Sequence, residues 1–353
     1  MEKQKITIKD IAEKAGVSKT TISRFLNNKC EYMSEETCKR ISDIIDELNY
    51  RPNTIARSLR SKESKLIGVI IHSLDNQLVS LLVRGISDAC FDNGYSFIIY
   101  NSYNDIEREK EYLRACIDQQ VDGIILSPTS TNFDFYYNVY NKNIPIVMAN
   151  RFQDGWMHDA VFIDHFSLVK KALKHMWDNG YKKIMFITDN TLEISTKTWR
   201  EQAFIEFANQ HFTKEVSKFI ARVDRFPRIS EKIHSNIKEE IQQFFKSYHD
   251  ERIAVMACDA EILHKTIKVL QNMNVKIPAQ LGLCGYDAWN WASLIEPGIT
   301  TVTQPLYETG IMATELLVER IKTGFPYKAK IIKLEGQLNE RKSTEQIFTK
   351  DKL

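Results

Sequence analysis

The spacing of apolar residues changes about sixty residues into the chain. Before that point, apolar side chains recur every three or four positions, which predicts helices from about Ile8, from Ser18 to about Leu26, and over Ser34–Leu48. From Lys65 onward, short apolar runs alternate with amphipathic stretches, and this alternation is typical of parallel sheets covered by helices. The sequence therefore predicts a small all-α N-terminal domain followed by a larger α/β core.

The first two predicted helices carry start and turn signals at a fixed spacing. Thr7 and Asp10 have the spacing of a capping box, so the first helix should begin directly after Thr7. Gly16 is the residue type that tolerates a sharp turn, and Ser18 can cap the second helix. Two helices joined by so short a turn have the layout of a helix-turn-helix, whose second helix enters the major groove of DNA.

The polar side chains of the second helix are candidate DNA contacts. Lys19, Thr20 and Arg24 are expected to read base edges. The short donors suit phosphates, which position a protein without specifying sequence: Ser18, Thr21, Ser23 and Asn27, with Thr7 at the start of the first helix. Charge supports this only weakly, because residues 1–62 hold 13 basic and 9 acidic side chains against 35 and 37 in the remainder. The alternative is a three-helix domain with a solvated basic face.

Several short motifs follow one another in a distinctive order and at distinctive spacings in the first sixty residues. They are Thr7-Ile8-Lys9-Asp10-Ile11-Ala12, Ala15-Gly16-Val17-Ser18, Thr21-Ile22-Ser23-Arg24, Ser34-Glu35-Glu36-Thr37, and Tyr50-Arg51-Pro52-Asn53 with Ala56-Arg57-Ser58-Leu59. On these motifs the chain resembles the LacI family of bacterial transcription regulators. The resemblance implies a helix-turn-helix DNA-binding domain over residues 1–49 and a hinge helix over residues 50–62.

In that family, two hinge helices meet in a dimer and wedge Leu side chains into the minor groove at the centre of a palindrome. The matching position here is Leu59, and the resemblance adds Asn53 and Ala56 to the DNA-binding set. Residues 53–61 are too few for a stable isolated helix, so a partner and DNA should order it, and an apolar wedge can kink the duplex. The alternative for Leu59 is a linker side chain that packs on the core.

The resemblance extends into the α/β region. It rests on Ile67-Gly68-Val69-Ile70, Val121-Asp122-Gly123-Ile124-Ile125, Asn150-Arg151, Gly285-Tyr286-Asp287 and Thr300-Thr301-Val302-Thr303-Gln304-Pro305. It implies a two-lobed core over 63–341 that resembles periplasmic sugar-binding proteins, with three crossings between lobes. We expect lobe 1 at about 63–161 and 290–322, and lobe 2 at 162–289 and 323–341. Tetrameric members of the family carry a leucine-heptad tail, whereas Asn339–Leu353 is polar and lacks heptads. The resemblance therefore implies a homodimer, and we expect residues 342–353 to be a disordered tail.

A ligand is expected between the lobes, because ligands of parallel α/β folds sit at the carboxyl ends of strands. The family's ligand positions map onto Asn76, Arg151, Arg200 and Asp287, and Asp259, after a predicted strand, is a further candidate. Such planar polar groups suit a polyhydroxylated ligand. The alternative is an ion pair across the cleft mouth, which uses the same residue types.

Several segments depart from the family pattern. Ser73–Val79 lacks the aromatic pair of the usual Asp-x-x-Asn-Pro-Phe-Phe, and Cys258 replaces the usual Asn; Trp156, Trp289 and Trp291 are alternative stacking residues. Ile194-Ser195-Thr196-Lys197, with Trp291-x-x-Leu294-x-x-Pro297, resembles the branch that responds to sugar acids such as 2-keto-3-deoxygluconate. A carboxylate would suit Arg151 and Arg200, since guanidinium binds carboxylates bidentately. Neutral sugars remain the alternative.

Composition and motifs narrow the remaining function classes. There is no long apolar run and no apolar N-terminal signal, so we expect a cytoplasmic protein without a membrane partner. The six cysteines and eight histidines show no metal-ligand spacing, and no hydrolase, P-loop, zinc-protease or dinucleotide motif occurs. We therefore expect no cofactor, no metal and no enzymatic activity.

The expected function is sequence-specific regulation of carbohydrate-utilisation genes, in the role of a repressor. The expected partners are a palindromic double-stranded DNA operator, a small sugar or sugar acid as effector, and a second copy of the chain. The rival is a transport-type sugar-binding protein, which would share the lobes but has no use for residues 1–61.

Overall fold

The computed structural model divides into two compact units, Met1–Lys65 (the head) and Leu66–Leu353 (the core). Within them it describes residues 6–26, 29–48, 50, 63–74, 77–129, 134–140, 143–152, 155–156, 158–189, 195–212, 214–223, 230–286, 290–324, 326 and 328–346. The predicted hinge helix lies almost entirely outside these ranges. The predicted DNA contacts Asn27, Asn53, Ala56 and Leu59 also lie outside the described residues.

The described residues of the head form three helices and a short 3-10 turn: α1 (Ile8–Ala15), α2 (Lys19–Leu26), the turn (Cys30–Tyr32) and α3 (Glu35–Glu47). The first helix begins as predicted, because the Asp10 carboxylate accepts hydrogen bonds from the amide and hydroxyl of Thr7 at 2.7 and 2.8 Å. It ends at Gly16, whose φ of 66° lies in the left-handed region that glycine favours. One apolar core joins the three helices: Ile11, Ala12, Ala15, Ile22, Ile41 and Ile44.

The core unit contains two six-stranded sheets. Sheet 1 consists, in spatial order, of β11 (Ile331–Leu334), β5 (Ala160–Ile163), β4 (Ile146–Asn150), β3 (Gly123–Leu126), β1 (Leu66–Ile71) and β2 (Ser96–Asn101). Sheet 2 consists of β12 (Gln337–Asn339), β10 (Thr300–Thr303), β9 (Gly282–Tyr286), β8 (Ile253–Ala257), β6 (Lys183–Asp189) and β7 (Ile220–Val223). All pairings are parallel except that of β12 with β10. The expected α/β architecture is therefore confirmed.

Each sheet carries its own helices and its own apolar core. Those of lobe 1 are α4 (Gln77–Asp92), α5 (Ile106–Asp118), α6 (Asp134–Tyr140) and α11 (Leu306–Thr323). Those of lobe 2 are α7 (His165–Asp178), α8 (Ser195–His211), α9 (Ser230–Ser247) and α10 (Ala260–Asn272). Strands such as β1 and β8 are buried along nearly their whole length, because helices cover both faces of a parallel sheet.

The chain crosses between the lobes three times, after β5, after β10 and after β11. The first and third crossings are joined by Asp164, whose amide donates to the Leu334 carbonyl at 2.9 Å and whose carboxylate pairs with Lys333 at 2.8 Å. The second and third are in contact at Gly336, where an added Cβ would lie 2.7 Å from the Thr303 carbonyl oxygen. The three crossings therefore form one packed hinge.

The crossing points differ from the expected lobe boundaries. Residues 290–322 were assigned to lobe 1 and 323–341 to lobe 2, but β10 belongs to sheet 2 and β11 to sheet 1. Ala292, Ile299 and Val302 are buried in the core of lobe 2, and Ile332 packs against that of lobe 1. Strands of both lobes share the same apolar pattern, so the pattern alone does not say which sheet a strand joins.

The prediction that residues 342–353 are disordered is wrong for 342–346. Ser343 and Thr344 are fully buried against lobe 2. The Ser343 hydroxyl donates to the Leu283 carbonyl and accepts from the Thr300 amide, at 2.6 and 2.7 Å. The Thr344 hydroxyl lies 2.8 Å from His175 Nε2. These polar side chains satisfy backbone groups of sheet 2, whereas their polarity alone suggested contact with solvent; residues 347–353 lie outside the described ranges.

Candidate DNA-reading face and ligand cleft

The predicted DNA-reading face is carried by α2 and by the start of α1. Lys19, Thr20 and Arg24 are exposed on α2, as side chains that meet base edges must be. Ser18 and Thr21 are engaged locally, because the Ser18 hydroxyl accepts a hydrogen bond from the Thr21 amide at 3.1 Å. Ser18 therefore caps α2, as its position in the sequence predicted.

A surface cleft of about 320 Å³ lies beside these residues and is lined by Thr7, Ile8, Lys9, Lys19 and Ser23. Three of the five are predicted DNA contacts, Lys19 and Ser23 on α2 and Thr7 at the start of α1, so the fold brings them to one surface. Lysine and hydroxyl side chains suit phosphate oxygens. Lys9 was missed by the sequence reasoning, which named only Thr7 at the start of α1.

In the core, polar side chains follow the carboxyl ends of strands in both sheets. Arg151 follows β4 and is buried, with Nη1 donating to the Pro128 carbonyl at 3.2 Å. Burial lowers the pKa of Arg151 to about 9; the carboxyl of Glu109 opposes this fall and the positive charge of Arg200 adds to it. The two arginines named by the sequence are thus electrostatic neighbours, although they belong to different lobes.

Arg200 projects from α8 and is 5% exposed. Its guanidinium donates to the Cys258 carbonyl at 2.7 Å and to the Gln304 side-chain oxygen at 3.1 Å. A further contact joins Nη2 to His165 Nδ1 at 3.3 Å, and the guanidinium carbon lies 4.0 Å from the centre of the Tyr286 ring. Because His165 and Gln304 flank the first and second crossings, Arg200 is tied to the hinge.

Neither Arg151 nor Arg200 forms an ion pair with a carboxylate in the described part of the chain. A buried charge is normally paired, since removing it from water is strongly unfavourable. The predicted alternative of an ion pair across the cleft includes Asp287, which lies outside the described residues, so it stays an alternative. The carboxyl of Glu109 acts on Arg151 without a direct ion pair, and the positive charge of Arg200 acts against it; two buried like charges that influence each other favour an anion as a further counter-charge.

Several buried polar atoms of the core have no hydrogen-bond partner within the described ranges: Arg200 Nε, three atoms of side chains that contact Arg200 (His165 Nε2, Tyr286 Oη and Gln304 Nε2), and Asn150 Oδ1, which precedes Arg151 in sequence. Arginine can only donate, so His165 Nδ1 accepts from it and the imidazole proton is on Nε2. The Gln304 oxygen is also occupied by Arg200, which leaves its amide N–H groups. The unpartnered set is thus rich in donors, as a site for an acceptor-rich ligand would be.

His72 and Ser127 form a second polar group at the ends of β1 and β3 in lobe 1. His72 Nδ1 lies 3.0 Å from the Ser127 hydroxyl oxygen. Burial holds the pKa of His72 well below its usual value, and the positive charges of Arg151 and Lys197 lower it further. The imidazole is therefore neutral at pH 7 and can exchange hydrogen bonds with hydroxyl groups. Sequence reasoning missed His72, although its place directly after a buried strand was a usable signal.

Asp259 has an internal role that the sequence left open. Its Oδ1 accepts from the Ile262 amide at 2.9 Å and so caps α10, while Oδ2 lies 3.9 Å from Lys197 Nζ. Lys197 also pairs with the buried Asp189. Ligand contact by Asp259 stays a prediction. Asn76 and Asp287, the other two predicted ligand residues, lie outside the described residues.

Aromatic side chains near the cleft differ from those suggested by the sequence. Trp156 is buried in lobe 1, where its indole N–H donates to the Asp159 carbonyl at 3.1 Å, and Trp291 packs on the core of lobe 2. Instead, Phe162 of β5 lies 4.6 Å from Phe152 and 5.6 Å from Trp199, measured between ring centres. This cluster joins the two lobes beside Arg151 and Arg200; Trp289 lies outside the described residues.

Comparison with known proteins places these features in a family. Residues 7–53 match the family described as bacterial regulatory proteins, lacI family, and residues 173–344 match the periplasmic binding protein-like domain. The HTH-type transcriptional regulator KdgR of Bacillus subtilis (strain 168) is 33% identical over 337 residues, which cover 96% of this chain and 97% of that protein. The chain belongs to the LacI family.

Other proteins also match this LacI-family chain over nearly its whole length. The probable HTH-type transcriptional regulator EndR of Paenibacillus polymyxa is 30% identical, over 96% of this chain and 98% of its own length. The lac repressor dimer, solved with operator and the anti-inducer ONPF, matches with a TM-score of 0.82 at 21% identity, over 97% of this chain and 100% of that one. At that identity the likeness confirms the fold alone.

None of the helices in the described residues has the length and hydropathy needed to span a lipid bilayer. Within the same ranges, no three His, Cys, Asp or Glu side chains are grouped in a way that could hold a metal ion.

Proposed function

We propose that this LacI-family chain is a homodimeric, cytoplasmic transcription repressor that binds a palindromic DNA operator and is switched by a sugar acid. Its similarity over nearly the whole chain to transcriptional regulators supports the regulatory part. The observation that carries the effector class is the donor-rich group around Arg200 together with Arg151. The protein acts by reversible binding rather than by catalysis.

The effector carboxylate would lie between the two guanidinium groups. A carboxylate only accepts hydrogen bonds, so it complements the unpartnered donors Arg200 Nε, His165 Nε2 and Gln304 Nε2. Charge-assisted bonds of this kind are about twice as strong as neutral ones. The neutral His72–Ser127 pair would bind hydroxyls at the other end of the ligand, because each of its members can both donate and accept.

The switch would act through the hinge. Arg200 binds His165 at the first crossing and Gln304 at the second, so a ligand held by Arg200 contacts groups whose positions change if the lobes rotate. Such a ligand shifts the balance of lobe arrangements only by its difference in affinity for them. In a repressor released by its effector, the arrangement that binds the ligand more tightly would be the one that separates the paired hinge helices.

A surface of lobe 1 supports the homodimer. Strand β2 is an edge of sheet 1, and its apolar residues Phe97, Ile98 and Ile99 are only half-buried. Phe91, in the last turn of α4, is 85% exposed. An apolar edge strand beside an exposed aromatic ring favours pairing with another chain, and a two-fold operator requires a two-fold protein.

The effector class can be tested by isothermal titration calorimetry on the full chain. The probes are 2-keto-3-deoxygluconate and glucose, as an acid and a neutral sugar. We expect saturable binding of the acid and none of glucose, and the acid should bind more weakly as salt rises. Binding of glucose without the acid would overturn the sugar-acid assignment and leave the neutral-sugar alternative.

A further inference from the structure

The side chain of Arg24, a predicted base-reading residue, rests on an aromatic ring. Its guanidinium carbon lies 5.4 Å from the centre of the Tyr32 ring, within the range of a cation–π contact. No carboxylate pairs with Arg24 in the described part of the head, where the ion pairs are those of Lys9, Lys14, Arg40 and Lys65. The Tyr32 ring is therefore the contact that restrains this side chain.

Packing does not explain the aromatic residue at this position. Tyr32 ends the 3-10 turn between α2 and α3 and is 64% exposed. It is not among the residues that form or contact the apolar core of the head, whereas its neighbour Met33 is. The turn is thus anchored by Met33, and the Tyr32 ring is left at the surface beside the DNA-reading helix.

We propose that Tyr32 is a positioning residue that holds Arg24 for sequence recognition, an inference that rests on the proposed DNA-binding function. A cation–π contact uses the face of the guanidinium, so the N–H edge stays available for bidentate bonds to a guanine. A long arginine loses rotamer freedom when it docks, and a side chain already held on a ring loses less. Tyr32 therefore sharpens specificity at the base pair that Arg24 reads, without contacting that base pair.

The test uses fluorescence anisotropy of the full chain on DNA that the wild-type protein selects from a pool with a random segment of about 20 base pairs, long enough for two half-sites one helical turn apart. Single base-pair variants of that duplex and an unselected duplex complete the probes. Tyr32→Leu should weaken binding to the selected duplex about two- to fivefold. The loss should vanish on variants of the base pair read by Arg24, and Tyr32→Phe should behave as wild type.

A double-mutant cycle separates positioning from direct contact. In an Arg24→Ala background, Tyr32→Leu should produce no further loss. Tyr103→Leu is the matched control, because Tyr103 is also exposed and its ring makes the same kind of contact, 5.5 Å from Arg108, in the core. That variant should leave DNA binding unchanged, and thermal melting should show that all variants are folded.

Three results would overturn the role of Tyr32. They are an unchanged affinity in Tyr32→Leu, an equal loss on every duplex including the unselected one, and an equal loss in the Arg24→Ala background. The last two would mean that Tyr32 contacts the phosphate backbone itself. A wild-type chain that selects no sequence would instead overturn the proposed function, and this is seen before any substitution is made.

Discussion

Arg200 and Arg320, two of the three buried arginines among the described residues of the core, differ in one respect, and that difference yields a sharp prediction. Arg200 and Arg320 are each 5% exposed. Arg320 is paired with the buried Asp159 through two hydrogen bonds of 2.7 and 3.1 Å, whereas Arg200 has no carboxylate partner within the described ranges. If the partner of Arg200 is the effector, replacing each arginine by methionine should separate folding stability from ligand binding.

The magnitudes follow from the contacts. Arg320→Met leaves Asp159 as an unpaired buried charge and should lower the free energy of unfolding by about 3–5 kcal/mol. Arg200→Met leaves the Cys258 carbonyl without its donor, a loss of about 1–3 kcal/mol. It also removes a buried charge that has no carboxylate partner among the described residues, so the two effects largely offset each other. We expect the unfolding free energy of Arg200→Met to stay within roughly 2 kcal/mol of wild type.

Effector binding should respond in the opposite way. Loss of a charged hydrogen-bond partner weakens binding by about 1.5–3 kcal/mol, or roughly 10- to 150-fold. Arg200→Met should therefore bind 2-keto-3-deoxygluconate at least tenfold more weakly than wild type, while the folded fraction of Arg320→Met should bind it normally. Urea unfolding and calorimetry measure the two quantities. The reasoning is refuted if Arg200→Met unfolds as easily as Arg320→Met and still binds the acid like wild type.

Further predictions concern the hinge, pH and DNA. Gly336→Ala should destabilise the core by about 1–3 kcal/mol in urea unfolding, because its Cβ would meet the Thr303 carbonyl oxygen at 2.7 Å; wild-type stability would show that the hinge can relax. Burial lowers the pKa of His72 and His165 well below 6.5 in the folded chain. Below that pH the unfolded chain therefore binds more protons than the folded chain. The free energy of unfolding should keep its full value above about pH 6.5 and should decrease below that pH by about 1.4 kcal/mol per pH unit for each histidine. His165→Gln should reduce that slope, and an unchanged slope between pH 5.5 and 6.5 would mean that His165 does not contribute. Leu59→Ala should weaken operator binding strongly in anisotropy titrations and spare effector affinity; equal operator affinity would remove its wedge role.

Local signals in the sequence were enough to predict the individual helices and strands. The Thr7–Asp10 pair and Ser18 located the starts of α1 and α2, because capping depends on residues only three positions apart. Continuous apolar runs located buried strands such as β1 and β8. Arg151 and Arg200 came from the family resemblance, and the structure brings them close enough to influence each other.

Contacts between distant segments were not predictable in the same way. The Thr300–Thr303 strand has no feature that assigns it to sheet 2, since that depends on its pairing with β9. Ser343 looked like part of a solvated tail because its partners, Leu283 and Thr300, are remote in sequence. His72 was a lone histidine until the fold placed it next to Ser127. Such properties arise from tertiary contacts rather than from local pattern.

The central claim is that a carboxylate-bearing ligand in the core controls DNA binding by the head. The most direct measurement is anisotropy of the full chain on its selected duplex at fixed salt, titrated with sugar acids and their neutral counterparts. We predict tight binding that a sugar acid shifts, that neutral sugars do not, and that no ligand shifts in Arg200→Met. A selected duplex whose affinity is unchanged by every acid, or is shifted equally in Arg200→Met, would contradict the account.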